Sequence, residues 1–287
     1  MARIPRAAAA ARDAAGRCID ERRFVDAILH AERAVALAPD WAEPYWPLAV
    51  GYKAAHRWRD CLAAADRAIA LDPEDSEGPR WNAGIAATAL GDWDRARAAW
   101  ASFGIPLPGD AGPIDGDFGL GPIRVNPDAH PEVVWCRRLD PCRARIRNVP
   151  MPGCGRSYDD LVLNDGEPRG ERVVGERRFS VLDELIVLEP STYRTWELAV
   201  RAADPAAIDA VVARFDDADG AAEDWTGVRM LCARCSLGGS SDDHVHDHDG
   251  GVAPWQPVRR LGIALRDETE LDRLGDDLEV LSVTRVS

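Results

Sequence analysis

Two thiols two residues apart, Cys232 and Cys235, are followed after eight intervening residues by His244, His246 and His248. Aspartates 242, 243, 247 and 249 surround the histidines. Zinc takes about four borderline-soft ligands in a tetrahedron, and thiolate sulfur with imidazole nitrogen supplies them. Two thiolates and two neutral imidazoles also balance the charge of Zn²⁺, which suits a partly covered site. The expectation is a zinc site built from Cys232, Cys235 and two of the three histidines. The His-x-His spacing is tighter than the usual gap of about three to five residues. Two other readings therefore stay open: a polar Gly/Ser/Asp-rich loop that carries histidines, and a Cys232–Cys235 disulfide. With only three protein ligands, zinc would keep a position for water, and another histidine or Asp247 could act as base in a hydrolase. The imidazoles would equally suit a sensor of zinc, nickel or copper.

The remaining chemistry is sparser. Arg143, Arg145 and Arg147 alternate, so a strand would place all three guanidiniums on one face. That face could bind an anion; the competing reading pairs it with some of the chain's many acids. Cys136, Cys142 and Cys154, with His130 upstream, match no metal-ligand spacing and read as small buried side chains. The sequence contains no nucleophile elbow, phosphate loop, His-Glu-x-x-His or dinucleotide glycine fingerprint. A non-enzymatic role is therefore favoured.

Composition sets the bounds within which these residues must be placed. At 287 residues the chain suggests about two or three domains. The net charge of −14 argues against nucleic-acid binding, which depends on neutralising phosphates, and acidity would attract a basic partner, as in an immunity or antitoxin protein. No run of about eighteen apolar residues is present, so no membrane-spanning helix is expected. The opening residues lack the apolar core of a signal peptide. Seven cysteines, an odd number and mostly scattered, fit a reducing cytoplasm. Lys53 is the single lysine among 35 basic residues, which together with abundant alanine suggests a GC-rich bacterial gene.

The first third is periodic. Residues 24–37 run from Phe24 to Leu37 and lead to Pro39; 34 residues on, Trp58 to Leu71 lead to Pro73; 35 residues further, Trp93 opens a third copy that closes near Pro108. An aromatic (Phe24, Trp58, Trp93) is followed three residues later by a small side chain (Ala27, Cys61, Ala96), then by Ala34, Ala68 or Phe103. This pattern resembles the tetratricopeptide repeat over about residues 7–108, with Leu48, Tyr52 and Gly84 at first-helix positions. The resemblance implies an α-solenoid of helical hairpins. Members of that family that grip a peptide carboxylate use Lys, Asn and Arg on the inner helices. Here the matching positions are Trp46, Val50, Trp81 and Ile85, with Lys53 and Arg12 the only basic residues of that face. The expected groove is apolar and suits a hydrophobic peptide or helix, unless the protein's own linker or next domain covers the tryptophans.

Residues 109–131 are rich in Pro and Gly and read as a linker. Short β-like runs over 132–190 then suggest a small β-rich unit, a half-open barrel being one form of it, with hairpin turns at Asn164-Asp165-Gly166 and at Gly175. The final segment, 191–287, reads strand (193–201), helix (206–215), strand (228–231), strand (260–265), helix capped by Asp267 or Thr269, strand (278–286). That order is ferredoxin-like, and it places the Cys/His loop between the second and third strands. Glu132–Arg138, the 160–166 stretch and the Cys232/Cys235 loop resemble uncharacterised regions that follow such repeats in actinobacterial and myxobacterial proteins, which implies no activity. The reading is an α+β multidomain, cytoplasmic bacterial scaffold that docks a protein or peptide partner.

Overall fold

A computed structural model describes residues 4–216, 219–227 and 255–286. The chain divides into two compact units: Met1–Gly116 with Asp140–Cys142, and Asp117–Leu139 with Arg143–Ser287. Among the described residues no helix is long and apolar enough to cross a membrane.

The first unit holds α1 (Arg6–Asp20), α2 (Phe24–Leu37), α3 (Tyr45–Ala54), α4 (Trp58–Leu71), α5 (Glu77–Leu90) and α6 (Trp93–Ala101). Each helix packs against the next, and α1, α3 and α5 also meet one another as an inner row. The small residues of the repeat explain how closely the helices approach. Ala27, Ala31, Ala34, Cys61, Ala65 and Ala96 are fully buried, so backbones come together without large side chains to separate them. Gly84 is the extreme case: a Cβ there would lie 2.5 Å from the ring of Trp100, which is itself fully buried. The helices within each hairpin are joined by one turn, used three times. The amides of Arg23, Arg57 and Asp92 reach back to the carbonyls of Cys18, Tyr52 and Ala87, while those of Arg22, His56 and Gly91 bond Ile19, Lys53 and Thr88. This is the Schellman arrangement, which needs a left-handed residue just past the helix. Arg22, His56 and Gly91 supply it, with φ of 57°, 55° and 71°.

The third copy stops earlier than its spacing suggests. Helix α6 ends at Ala101, where successive i→i−3 bonds run to a left-handed Gly104. Beyond it, the Arg97 guanidinium donates to the carbonyls of Pro108, Gly109 and Gly112 and pins the irregular segment in place.

The second unit begins inside the stretch expected to be linker. Strands β1 (Leu120–Val125), β2 (Glu132–Arg138), β3 (Arg143–Ile146), β4 (Leu161–Val174) and β5 (Arg177–Glu189) form a closed barrel, not a half-open one. Neighbours are antiparallel except for the β1–β5 seam, which is parallel and short, pairing Ile123 with Leu182 and Arg124 with Asp183. Pro122 is tolerated in β1 because that seam does not extend to it; a proline costs a ladder bond only where a neighbour needs its N–H. At the seam the Arg124 guanidinium donates to both oxygens of Asp183, at 2.7 and 2.8 Å, and both side chains are buried. The Asn164-Asp165-Gly166 stretch makes no turn: it lies within β4, where three register shifts between Leu163 and Glu171 absorb the irregular residues as bulges. The β4–β5 turn falls at the other expected position, Gly175, φ 59°.

The sheet comprises β6 (Arg194–Arg201), β7 (Ala221–Asp224), β8 (Val258–Leu265) and β9 (Glu279–Arg285), in the order β7-β8-β6-β9, all antiparallel. Helix α7 (Pro205–Asp216) lays Ile208, Val211 and Phe215 on Trp196, Leu198, Val200, Leu261, Ile263 and Leu265. The strand after α7 is Ala221–Asp224; residues 228–231, expected to form it, lie outside the described residues. The second expected helix is a run of 3₁₀ turns, Glu268–Asp277, broken by Gly275 at φ 66°. Asp267 caps that run, accepting from the Thr269 amide while Glu270 returns a bond to the Asp267 amide. Barrel and sheet share a core in which Val149 and Tyr158 pack with Tyr193, Ala221, Trp225 and Ala264.

Candidate functional site

The inner row of the helical unit carries the five residues expected to line a groove. Trp46, on α3, is 43% exposed. Its indole lies against Gly78, where a Cβ would stand 2.6 Å from the ring nitrogen, so this glycine makes room for the ring. Val50 is half-buried, Lys53 is buried and Ile85 is fully buried. Trp81 is half-buried and meets Trp100 and Phe103 edge-on, with centroids 5.0 and 5.1 Å apart. Such T-shaped contacts fix the ring in place. Arg12 stands over Trp41 and pairs with Glu43. The accessible part of the face is therefore narrower than the spacing implied: Trp46 with the edges of Val50 and Trp81.

The alternating arginines are spread over different environments. Arg143 is buried, Arg145 half-buried and Arg147 exposed, the last just beyond the end of β3. Arg145 pairs with Glu189 at 2.9 Å and with Asp159 at 3.8 Å. Arg147 reaches Asp159 at 3.7 Å and lies over the Tyr158 ring at 5.0 Å. Burial raises the Asp159 carboxyl above its usual range while these two arginines pull it down. Carboxylates thus occupy the guanidiniums of Arg145 and Arg147.

Cys136, Cys142 and Cys154 are buried free thiols. Burial, with Glu184 adding to it, pushes the Cys136 thiol far up; burial followed by the charge of Glu132 pushes Cys154 to about 12. Both stay protonated and unreactive near neutrality. His130 is exposed. Among the described residues no three His, Cys, Asp or Glu side chains gather as metal ligands would. Cys232, Cys235, His244, His246 and His248 lie outside the described residues.

Two carboxylates that motif and spacing did not single out, one from the barrel and one from the sheet, hold residues 148–151 between β3 and β4. Glu132, opening β2, accepts from the Met151 amide at 2.9 Å. Glu223, on β7, accepts from the Asn148 side-chain amide at 3.0 Å and the Val149 amide at 2.9 Å. Burial raises both carboxyls above the ordinary glutamate value. Nearby, Trp225 donates its indole N–H to the Val149 carbonyl at 2.9 Å. At the other end of the sheet, a cleft of about 590 Å³ is lined by Arg194, Trp196, Arg266, Asp267, Glu268, Thr269 and Arg285. The cap at Asp267 and Thr269 is the one local signal at the cleft; Glu132 and Glu223 come together from strands far apart in the chain, which no local pattern marks.

The fold and these sites define a tetratricopeptide-like helical unit followed by a mixed β-rich unit with two sheets. No protein-family model matches the chain, and no curated protein matches it. Solved structures similar to part of it include the second TPR of Spaghetti (RPAP3) bound to the HSP90 peptide SRMEEVD, at 21% identity, covering 34% of this chain and 89% of that one with a TM-score of 0.33. The Arabidopsis OM64 TPR domain matches at 14% identity over 33% of this chain and 78% of that one, TM-score 0.32. The CopN–Scc3 complex matches at 15% identity over 33% and 55%, TM-score 0.31.

Proposed function

We propose that this protein is an interaction adaptor whose helical unit docks an apolar peptide or helix around Trp46. The observation that carries this reading is Trp46 itself: a large ring 43% exposed on the inner row, where most large apolar side chains of the unit are covered. Aromatic anchors of this kind dominate binding energy at small interfaces. In this reading the second unit is a barrel followed by a ferredoxin-like sandwich; the order β7-β8-β6-β9 and its antiparallel pairings support the latter, while the 3₁₀ run in place of a second helix departs from it. The Cys232, Cys235, His244, His246 and His248 segment is proposed to hold zinc on the chemistry of its donor set, and a bacterial, cytoplasmic setting follows from composition.

The test is a peptide selected from a displayed random library against the whole protein, then titrated by fluorescence anisotropy. An apolar peptide should bind the wild type and lose on the order of 30-fold in affinity with Trp46→Ala. Selected peptides that bind wild type and Trp46→Ala alike would remove the groove from consideration.

A further inference from the structure

Arg194 opens β6 and is exposed, and among the described residues its guanidinium meets no carboxylate, carbonyl or ring. That is unusual in a chain where 49 acidic residues face 35 basic ones. Elsewhere in the same unit Arg145, Arg156, Arg201 and Arg260 each hold a carboxylate. The strand register gives the face on which Arg194 lies. Residues two apart on a strand share a face, so Arg194 shares that of Trp196 and Leu198, which α7 covers further along. Trp196 pairs with Arg285 on β9, and the one register shift of that pairing lies beyond Leu198, at Ala199 and Val200. Directly opposite residues also share a face, which makes Arg194 and Arg285 diagonal neighbours on it, about 7 to 8 Å apart. Like charges so placed repel one another, and an anion between them would relieve the repulsion.

Both arginines line the cleft of about 590 Å³ at this end of the sheet. Two carboxylates line it as well without pairing with Arg194. Asp267 turns its Oδ1 to the Thr269 amide and hydroxyl, at 2.9 and 2.7 Å, and so caps the 3₁₀ run. Glu268 is exposed and makes no ion pair among the described residues. Arg266, the third guanidinium of the lining, lies over the Tyr193 ring and pairs with Asp219 at 3.4 Å, so it is engaged outside the cleft. Arg285 keeps an interaction within the chain, but a guanidinium has several donors in a fixed fork and one contact does not exhaust them.

We infer that this cleft binds a small phosphate ester, its phosphoryl oxygens held between Arg194 and Arg285. A phosphoryl group has more acceptor oxygens than a carboxylate, and two guanidinium forks on neighbouring strands can share them in bidentate fashion. The space exceeds what the anion alone would fill, and about 590 Å³ falls in the range of small-molecule pockets. Trp196 lines the cleft beside both arginines and gives the organic part of the ester an apolar wall.

Isothermal titration calorimetry on the full chain tests this with phenyl phosphate, inorganic phosphate and benzoate as probes. Phenyl phosphate should bind saturably, inorganic phosphate more weakly, and benzoate not measurably. Arg194→Ala and Arg285→Ala, each confirmed folded by circular dichroism, should each weaken phenyl phosphate binding by about tenfold or more. Glu268→Gln should strengthen it by removing the negative charge beside the ligand, and Arg201→Ala, at the far end of β6, should leave it unchanged. Absence of saturable binding by either phosphate would overturn the site, as would binding that survives both arginine substitutions. Benzoate bound as tightly as phenyl phosphate would overturn the choice of phosphate, and inorganic phosphate bound as tightly would overturn the ester.

Discussion

Arg22, His56 and Gly91 occupy one conformation in three successive turns, and each stands two residues before the aromatic that opens the next helix. The Arg22 guanidinium lies over the Phe24 ring at 5.8 Å, and the His56 ring stacks on Trp58 at 5.4 Å. A left-handed backbone costs a residue with a Cβ about 1 kcal/mol, and these ring contacts offset part of that cost where glycine is absent. At Gly91 the nearest atom to an added Cβ would be the Trp93 ring nitrogen, 4.0 Å away, so a methyl group adds strain and gains little. Gly91→Ala should therefore lower stability by about 1 kcal/mol, measured as a fall in the urea midpoint with unchanged slope. An unchanged midpoint would contradict the left-handed turn.

At the scale of elements, β2 and β7 are fastened through one short segment by Glu132 and Glu223. Both carboxyls are raised above the ordinary glutamate value in the folded chain because burial disfavours their charge. The folded state therefore holds these protons more tightly than the unfolded state. The associated stability is complete below the unfolded value and is lost as pH rises through the raised folded values. Relative to a Glu132→Gln/Glu223→Gln chain, the wild type should lose ground as pH rises beyond the ordinary glutamate range, with the two stability curves converging at the acid end. Parallel curves in denaturant titrations at a series of pH values would exclude the two carboxyls as the cause. Neither residue could be singled out beforehand, since they act through residues 148–151 and one another, not through a local pattern. The helices were different. Phe24–Leu37 and Trp58–Leu71 were legible to the residue because each hairpin repeats its small and aromatic positions against its neighbour. Strand β1 was hidden, since Gly121 and Pro122 read as linker until the parallel seam shows which N–H groups are needed. The 164–166 stretch misled for a related reason: a turn-forming tripeptide can be taken up as a bulge when long strands continue on both sides.

For the whole molecule, the division into a helical part and a β-rich part was visible in the change from a 34-residue period to short β-like runs. The site residues were less so. The spacing that marked Trp46 also marked Ile85 and Lys53, because periodicity identifies which side of a helix faces inward and not how much of it neighbouring residues then cover. Metal content is the prediction that belongs at this scale. Elemental mass spectrometry on protein purified without a histidine tag should find about one zinc per chain, lost together with thermal stability in Cys232→Ser/Cys235→Ser. Zinc lost without a change in stability would point to sensing or catalysis, and absence of metal from both proteins would remove the site.

The parallel seam of the barrel also fixes an order of assembly. Each helical hairpin closes on the helix made just before it, so its contacts form early and locally. Strand β1 gains its second neighbour only when Asp183 arrives, 59 residues after Arg124, and bridging such a distance slows folding. On the ribosome the helical unit can be finished while β1 still waits, with Ile123 and Val125 uncovered and the Arg124 guanidinium still hydrated. That interval is when the nascent chain is most open to aggregation or to capture by a chaperone.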